Sequence, residues 1–170
     1  IPVFADIDDT YNMDPADVEK KITPRTRAII VVHLFGNPCN MDAMVDIARR
    51  HKIPLIEDCA QAHLAEYKGK YAGTIGDIGC FSFQQSKHMT TGEGGMVVTE
   101  DEDVFEKASL LKFHGMDREA WKRFAKAGSP RYDVAVPGFK YNMMDIQAAL
   151  GLHQLKRLET FLRERERLAL

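Results

Sequence analysis

The stretch "FSFQQSKHMTTGEGGMVVT", residues 81–99, sets one lysine, Lys87, between a short aromatic run and a run of glycines. An ordinary lysine has a pKa near 10.4, so freeing its amine at pH 7 costs about 4–5 kcal/mol. Burial, a neighbouring cation or conversion to an imine removes that handicap. A weakly charged, glycine-rich surround suits the last of these. A second reactive group precedes it: "PLIED" ends in Glu57 and Asp58, and Asp58 leads into "CAQAH". An acid and an amine thus each follow a short apolar run. His63 and His88 invite acid–base roles, although a structural role is the plainer reading of both. His33 lies inside an apolar run and reads as a hydrogen-bonded core residue.

Such groups work only if the chain brings them together. "AIIVVHLFG", "IPLIED", "CFSF" and "GGMVVTE" read as strands, the first a continuous apolar run expected to be covered on both faces. "PVFAD" reads as a strand end. Between the strands lie helical runs. "DPADVEKKI" has Asp14 as N-cap and Pro15 at the first helical position. "MDAMVDIARRHK" places Met41, Met44, Val45 and Ala48 on one face, and "DEDVFEKASLLKFHG" closes at Gly115. "YKGKYAGTIGDIG" is turn-rich, and "AKAGSPRYDVAVPG" reads as a loop. The end, "MMDIQAALGLHQLKRLETFLRERERLAL", reads as one long helix with Ala148, Leu152, Leu155, Leu158 and Leu162 along a stripe. Strands separated by helices predict an α/β fold with a mainly parallel sheet flanked by helices. Right-handed crossovers then gather strand C-termini on one rim, where ligands bind.

Bulk composition narrows the classes. The 170 residues are 45% hydrophobic with a net charge of −2, enough for a real core and without a basic face for nucleic acid. "REAWKRFAKAG" interleaves basic and aromatic residues, and reads as a solvated face or part of a substrate loop. No apolar run approaches the roughly 20 residues that cross a bilayer. The first residues lack a basic n-region and an h-region, as well as an initiator methionine, and suggest a chain whose earlier part is missing. Three cysteines, an odd number without regular spacing, argue against a disulfide framework and for a reducing cytoplasm. Cys59 and His63 stand four apart, but no second pair at ligand spacing completes a zinc site, and no metal is expected.

If Lys87 forms a Schiff base with pyridoxal 5'-phosphate, three further needs arise. The ring nitrogen wants a carboxylate, the phosphate wants hydroxyls and backbone N–H groups, and the ring face wants a polar neighbour. Asp58, Ser82 and Gln61 are the available candidates. The spacing alone also fits other α/β enzymes. "GEGG" lacks G-x-G-x-x-G spacing and precedes a strand, so it reads as a tight turn near the ligand.

The motifs "EDCAQAH", "YKGKYAGTIGDIGCFSFQQSKHMTTGEGGMVVTED" and "PGFKYNMMDIQAALGLHQLKRL" carry a resemblance. In this order they are similar to the nucleotide-sugar aminotransferases of the DegT/StrS family, which are fold-type I pyridoxal-phosphate enzymes. The resemblance runs over essentially the whole chain. It implies that Lys87 forms the Schiff base and shuttles the proton, that Asp58 pairs with the pyridine nitrogen, and that Gln61 sits against the ring. It further implies that Ser82 binds phosphate and that Asn142 reaches the cofactor phosphate of a neighbouring subunit in a homodimer. The implied reaction moves an amino group from glutamate or glutamine to a nucleotide-linked keto sugar, for amino-sugar or polysaccharide biosynthesis. Family chains are considerably longer. The resemblance therefore makes residues 1–142 part of the large domain and 143–170 a helix leading toward a small C-terminal domain. Sugar dehydratases of the same family resemble this chain but carry histidine at the position of Lys87. The remaining alternative is a non-catalytic fragment or regulatory cofactor-binding domain.

Overall fold

The computed structural model describes residues 1–116 and 133–169; the "REAWKRFAKAG" segment and the first part of the following loop lie outside these. The chain forms two compact units, residues 1–100 with 145–170, and residues 101–144.

The first unit is built on a four-stranded sheet. Its strands are β1 (Ile29–Val32), β2 (Leu55–Asp58), β5 (Ile78–Ser82) and β6 (Gly95–Val98), in the order β1-β2-β5-β6. β1, β2 and β5 run parallel, with Val32 opposite Asp58 and Asp58 opposite Cys80. β6 returns antiparallel, and Gly95 pairs with Ser82. The turn-rich segment contains a small hairpin of β3 (Glu66–Tyr67) and β4 (Lys70–Tyr71), which alternating polar residues and glycines had concealed. Close approach is possible at Gly79, where a Cβ would lie 2.1 Å from the Gly73 carbonyl oxygen.

Two helices cover one face. α1 (Pro15–Lys21) starts as expected, with Asp14 Oδ1 accepting from the Ala16 N–H at 2.9 Å. α2 (Met41–His51) is capped by Asn40, whose Oδ1 accepts from the Ala43 N–H. Met41, Met44, Ile47 and Ala48 pack with Val18, Ile29, Val31 and Leu55 into one apolar cluster, and Val45 borders it. The opposite face of β1 differs from expectation: Ile30 is 54% and Val32 41% exposed. Alternation, with one face covered, replaces the two covered faces that an unbroken apolar run suggests. "PVFAD" is no strand either. Residues 1–5 are irregular, because no neighbouring strand among the described residues pairs with them, and only an isolated Ile7–Met13 bridge follows.

The C-terminal segment is two helices, α4 (Asp145–Leu155) and α5 (Leu158–Ala169). At the break the Arg157 N–H bonds the Gln154 carbonyl, an i→i−3 contact that tightens the turn. Leu158 is buried, but Leu152 and Leu155 are exposed, so the expected leucine stripe is not the packed face; Gly151 is buried instead. No described helix is long and apolar enough to cross a membrane.

The second unit holds α3 (Glu102–Leu111), capped by Asp101 Oδ1 on the Val104 N–H. The helix stops four residues before Gly115. Residues 139–141 zip onto its C-terminal end, with Phe139 N–H on the Leu111 carbonyl at 2.7 Å and Tyr141 N–H on the Lys112 carbonyl at 2.8 Å.

Candidate active site

Because β1, β2 and β5 are parallel neighbours, their C-terminal ends open onto one rim, and β6 begins there. Asp58 is the last residue of β2, and Gln61 lies in the turn after it. Ser82 is the last residue of β5, and Lys87 follows in a tight loop whose N–H bonds the Gln84 carbonyl at 3.0 Å. Sheet topology therefore brings Asp58, Gln61, Ser82 and Lys87 to the same edge. Asn142 belongs to the second unit. Its Oδ1 accepts from Lys140 Nζ at 2.6 Å, and Lys140 also lies over the Phe113 ring. α4 starts three residues later, so Asn142 does not cap it.

Each rim residue is partly committed and partly free. Asp58 Oδ1 accepts from the Ala60 N–H at 2.9 Å, which fixes the carboxylate, while Oδ2 makes no bond among the described residues. Ser82 Oγ accepts from the Gln84 N–H at 3.3 Å and keeps its hydroxyl proton to donate. Gln61 Oε1 accepts from the Phe35 N–H at 2.7 Å, leaving its amide nitrogen unused. That contact stabilises a strained turn, since Phe35 has φ of 56°. Gly36 follows at φ +83°, where a side chain is disfavoured and a Cβ would meet the Gln61 carbonyl at 3.0 Å. Lys87 Nζ has no carboxylate partner among the described residues. Half-buried polar groups with unspent donors and acceptors, aimed from adjacent loops, are the donor set that a phosphorylated heteroaromatic aldehyde requires.

Immediately beneath the rim lies a different kind of polar group. Glu57 is fully buried, and its Oε2 accepts from His33 Nε2 at 2.9 Å and the Gly73 N–H at 2.7 Å. Its Oε1 accepts from the N–H groups of Ile75 and Gly76 at 2.8 and 2.6 Å. Burial pushes the carboxyl pKa up, but His33 and three backbone donors outweigh it and hold the group below its usual range. His33 Nδ1 accepts from the Cys39 N–H at 3.1 Å, so the imidazole is the neutral Nε2–H tautomer. His33, Glu57 and Cys59 offer donor atoms within 4.8 Å of one another. The His33 and Glu57 atoms already carry the hydrogen bonds just given, which ties them into a structural knot, and burial pushes the Cys59 thiol up to about 12. His33, directly after β1, is the bonded core residue expected from its place in the apolar run.

The Cys59 thiol faces the Glu57 carbonyl, and His63 packs against Phe81 and Phe83 at ring distances of 5.6 and 6.0 Å. Burial pushes the His63 pKa down to about 4, His88 adds to this, a backbone contact with Ser82 opposes it, and Lys87 adds the least. Sequence reasoning missed Glu57 as an anchor. Its signal was present: a strand-end acid followed by "GTIG", whose backbone N–H groups are free to wrap an anion.

Residues 1–170 match the sequence profile of the DegT/DnrJ/EryC1/StrS aminotransferase family. The chain is 48% identical over 169 residues to the spore coat polysaccharide biosynthesis protein SpsC of Bacillus subtilis, covering 99% of this chain and 43% of that protein. It is 47% identical over 167 residues to the GDP-perosamine synthase of Caulobacter vibrioides, covering 98% and 42%. In three dimensions it is similar to the putative sugar aminotransferase Spr1654 from Streptococcus pneumoniae in its PMP form. There the TM-score is 0.89 at 33% identity, covering 99% of this chain and 48% of that one. The chain spans less than half the length of these relatives.

Proposed function

From the premise that this chain belongs to the DegT/DnrJ/EryC1/StrS aminotransferase family, with a fold-type I large-domain architecture, we propose a pyridoxal-phosphate-dependent sugar aminotransferase. Its intact protein moves an amino group from glutamate or glutamine to a nucleotide-linked keto sugar. The observation that carries this reading is the convergence of Asp58, Gln61, Ser82 and Lys87, each with unspent bonding capacity, on one rim of one sheet.

Lys87 would hold the cofactor through its amine, Asp58 through the ring nitrogen and Ser82 through the phosphate, with Gln61 beside the ring. Asn142 would complete the phosphate site of a second copy, so the working unit is a homodimer, in a cytoplasmic setting. When bound, the cofactor supplies an electron sink for the pair left on the donor's α-carbon as its proton departs. Lys87 Nζ, as a free amine, would take that proton. Among the described residues no carboxylate pairs with it. The Asp58 carboxylate keeps a positive ring nitrogen in place. At an effective dielectric of 20, a close pair of this kind is worth about 4 kcal/mol. The Ala60 N–H holds Asp58 Oδ1, so Oδ2 is presented without a search through rotamers. Ser82 donates to the phosphate while its own oxygen is held by Gln84. In the acceptor half Lys87 would deliver a proton to the sugar carbon that receives the nitrogen.

The test is to incubate the intact protein and cofactor with glutamate or glutamine and a panel of nucleotide-linked keto sugars, and to read products by mass. An amino sugar from at least one keto sugar is the expected result. Dehydrated sugar without nitrogen transfer would point to the dehydratase chemistry instead. No conversion across the panel would leave a non-catalytic, cofactor-binding role.

A further inference from the structure

Two imidazoles have no part in the roles above. His63 is only 5% exposed, and its ring faces His88 at a centroid distance of 5.4 Å and an angle of 49°. Nδ1 and Nε2 of His63 and Nδ1 of His88 are all buried without a hydrogen-bond partner. These are the three buried side-chain nitrogens or oxygens so stranded among the described residues. A neutral imidazole carries one donor and one acceptor, and leaving both unmade incurs the desolvation penalty of each. If His63 served only to fill space between Phe81 and Phe83, phenylalanine would do it without that penalty.

Orphaned polar atoms that converge in a closed space are where proteins hold ordered water, which typically makes two to four bonds to such groups. The positions of the two rings add meaning. His63 is on the β2 loop that carries Asp58 and Gln61, and His88 directly follows Lys87 on the β5 loop. We propose that His63 and His88 clasp one buried water molecule, and that this bridge fixes the separation between the loop of Asp58 and the loop of Lys87. One imidazole N–H donates to the water oxygen, and the water donates to an imidazole nitrogen opposite. Neither histidine is a catalytic residue; both are positioning residues. The bridge carries no net charge, so it orders the lysine loop without giving the amine a counter-ion that would hold its proton. Burial lowers the proton affinity of both rings, and the positive charges of Arg165, for His88, and of Lys87 act in the same direction.

The inference rests on the proposed roles of Lys87 and Asp58, and the experiment separates the two. In the intact protein, His63→Phe keeps the aromatic packing and removes both nitrogens, whereas His63→Gln restores a donor and an acceptor. A misplacement of reacting groups by about 1 Å can cost on the order of 100-fold. His63→Phe should therefore lower kcat by about 10- to 100-fold. KM and thermal midpoint should stay near wild type, and His63→Gln should recover much of the loss. A crystal structure of the intact wild type should show a water within hydrogen-bond distance of both rings, and this readout stands even if His63→Phe does not fold. Wild-type kcat in His63→Phe overturns the inference, as does a loss that follows thermal stability or that His63→Gln fails to rescue. A protein group in place of the water on those nitrogens overturns it too. Full activity in Lys87→Ala would instead sink the assignment of the site itself.

Discussion

Glu57 and Asp58 are adjacent carboxylates at the end of one strand, and they live under opposite rules. Glu57 points inward and accepts four hydrogen bonds, two on each oxygen. Asp58 points to the rim and has one oxygen held by Ala60 and one unspent. Strand alternation alone sends the two side chains to opposite faces. Saturation marks Glu57 as an anchor, which joins β1 through His33 to the segment around Gly73–Gly76. Incompleteness leaves Asp58 with an oxygen able to meet a ligand, as its proposed role requires. The same contrast separates His33, bonded on both nitrogens, from His63, bonded on neither.

That contrast can be broken by exchanging the consequences. Glu57→Ala leaves His33 and three backbone donors buried without an acceptor, and should cost about 3–5 kcal/mol of stability, measured by denaturant unfolding. Asp58→Ala leaves only one part-buried backbone donor, the Ala60 N–H, without its acceptor. It should unfold at nearly the wild-type midpoint while transamination falls by about 10²- to 10³-fold, the rate equivalent of an ion pair worth up to about 4 kcal/mol. If both substitutions damage stability alike, or both spare it, the distinction between anchor and ligand group is void.

The two histidines sharpen the point through pH. The folded pKa of His63 lies near 4 against an ordinary 6.5. The unfolded chain therefore binds the extra proton first, and stability falls as pH drops from about 6.5 toward 4, by about 3 kcal/mol. Glu57, with a lowered folded pKa, adds its own loss only as pH falls below about 4.5. His63→Phe should flatten the upper limb of the stability–pH curve and leave the lower one, as urea midpoints across the range would show. Smallest of the set, Ser82→Ala removes the hydroxyl donor that the proposed role sets against a charged phosphate. It should weaken cofactor affinity by roughly tenfold, since such bonds are worth about 1.5–3 kcal/mol, with little change in kcat at saturating cofactor.

Much of this was legible in the residues. Asp14 followed by Pro15 marked the start of α1, because side-chain capping and a preset φ are local effects. β2, β5 and β6 showed as short apolar runs bounded by turn residues, and Lys87 and Asp58 stood at their ends. What escaped depends on distant partners. The exposed half of β1 follows from what packs on it, and the covered and uncovered positions are equally apolar in sequence. The break between α4 and α5 has no glycine or proline to announce it. Nothing in "ED" says which acid faces inward. That answer required the backbone of "GTIG" to be folded around Glu57.

The central claim is that the amine of Lys87 is the covalent attachment point of an aldehyde cofactor on this rim. Treating the intact protein with pyridoxal 5'-phosphate and borohydride, then digesting it and sequencing peptides by mass, tests this most directly. The account predicts a single phosphopyridoxyl mass increment on the peptide that contains Lys87, abolished in Lys87→Ala and retained in Lys140→Ala. A specific increment on another lysine, or undiminished labelling of the Lys87→Ala protein, would contradict it.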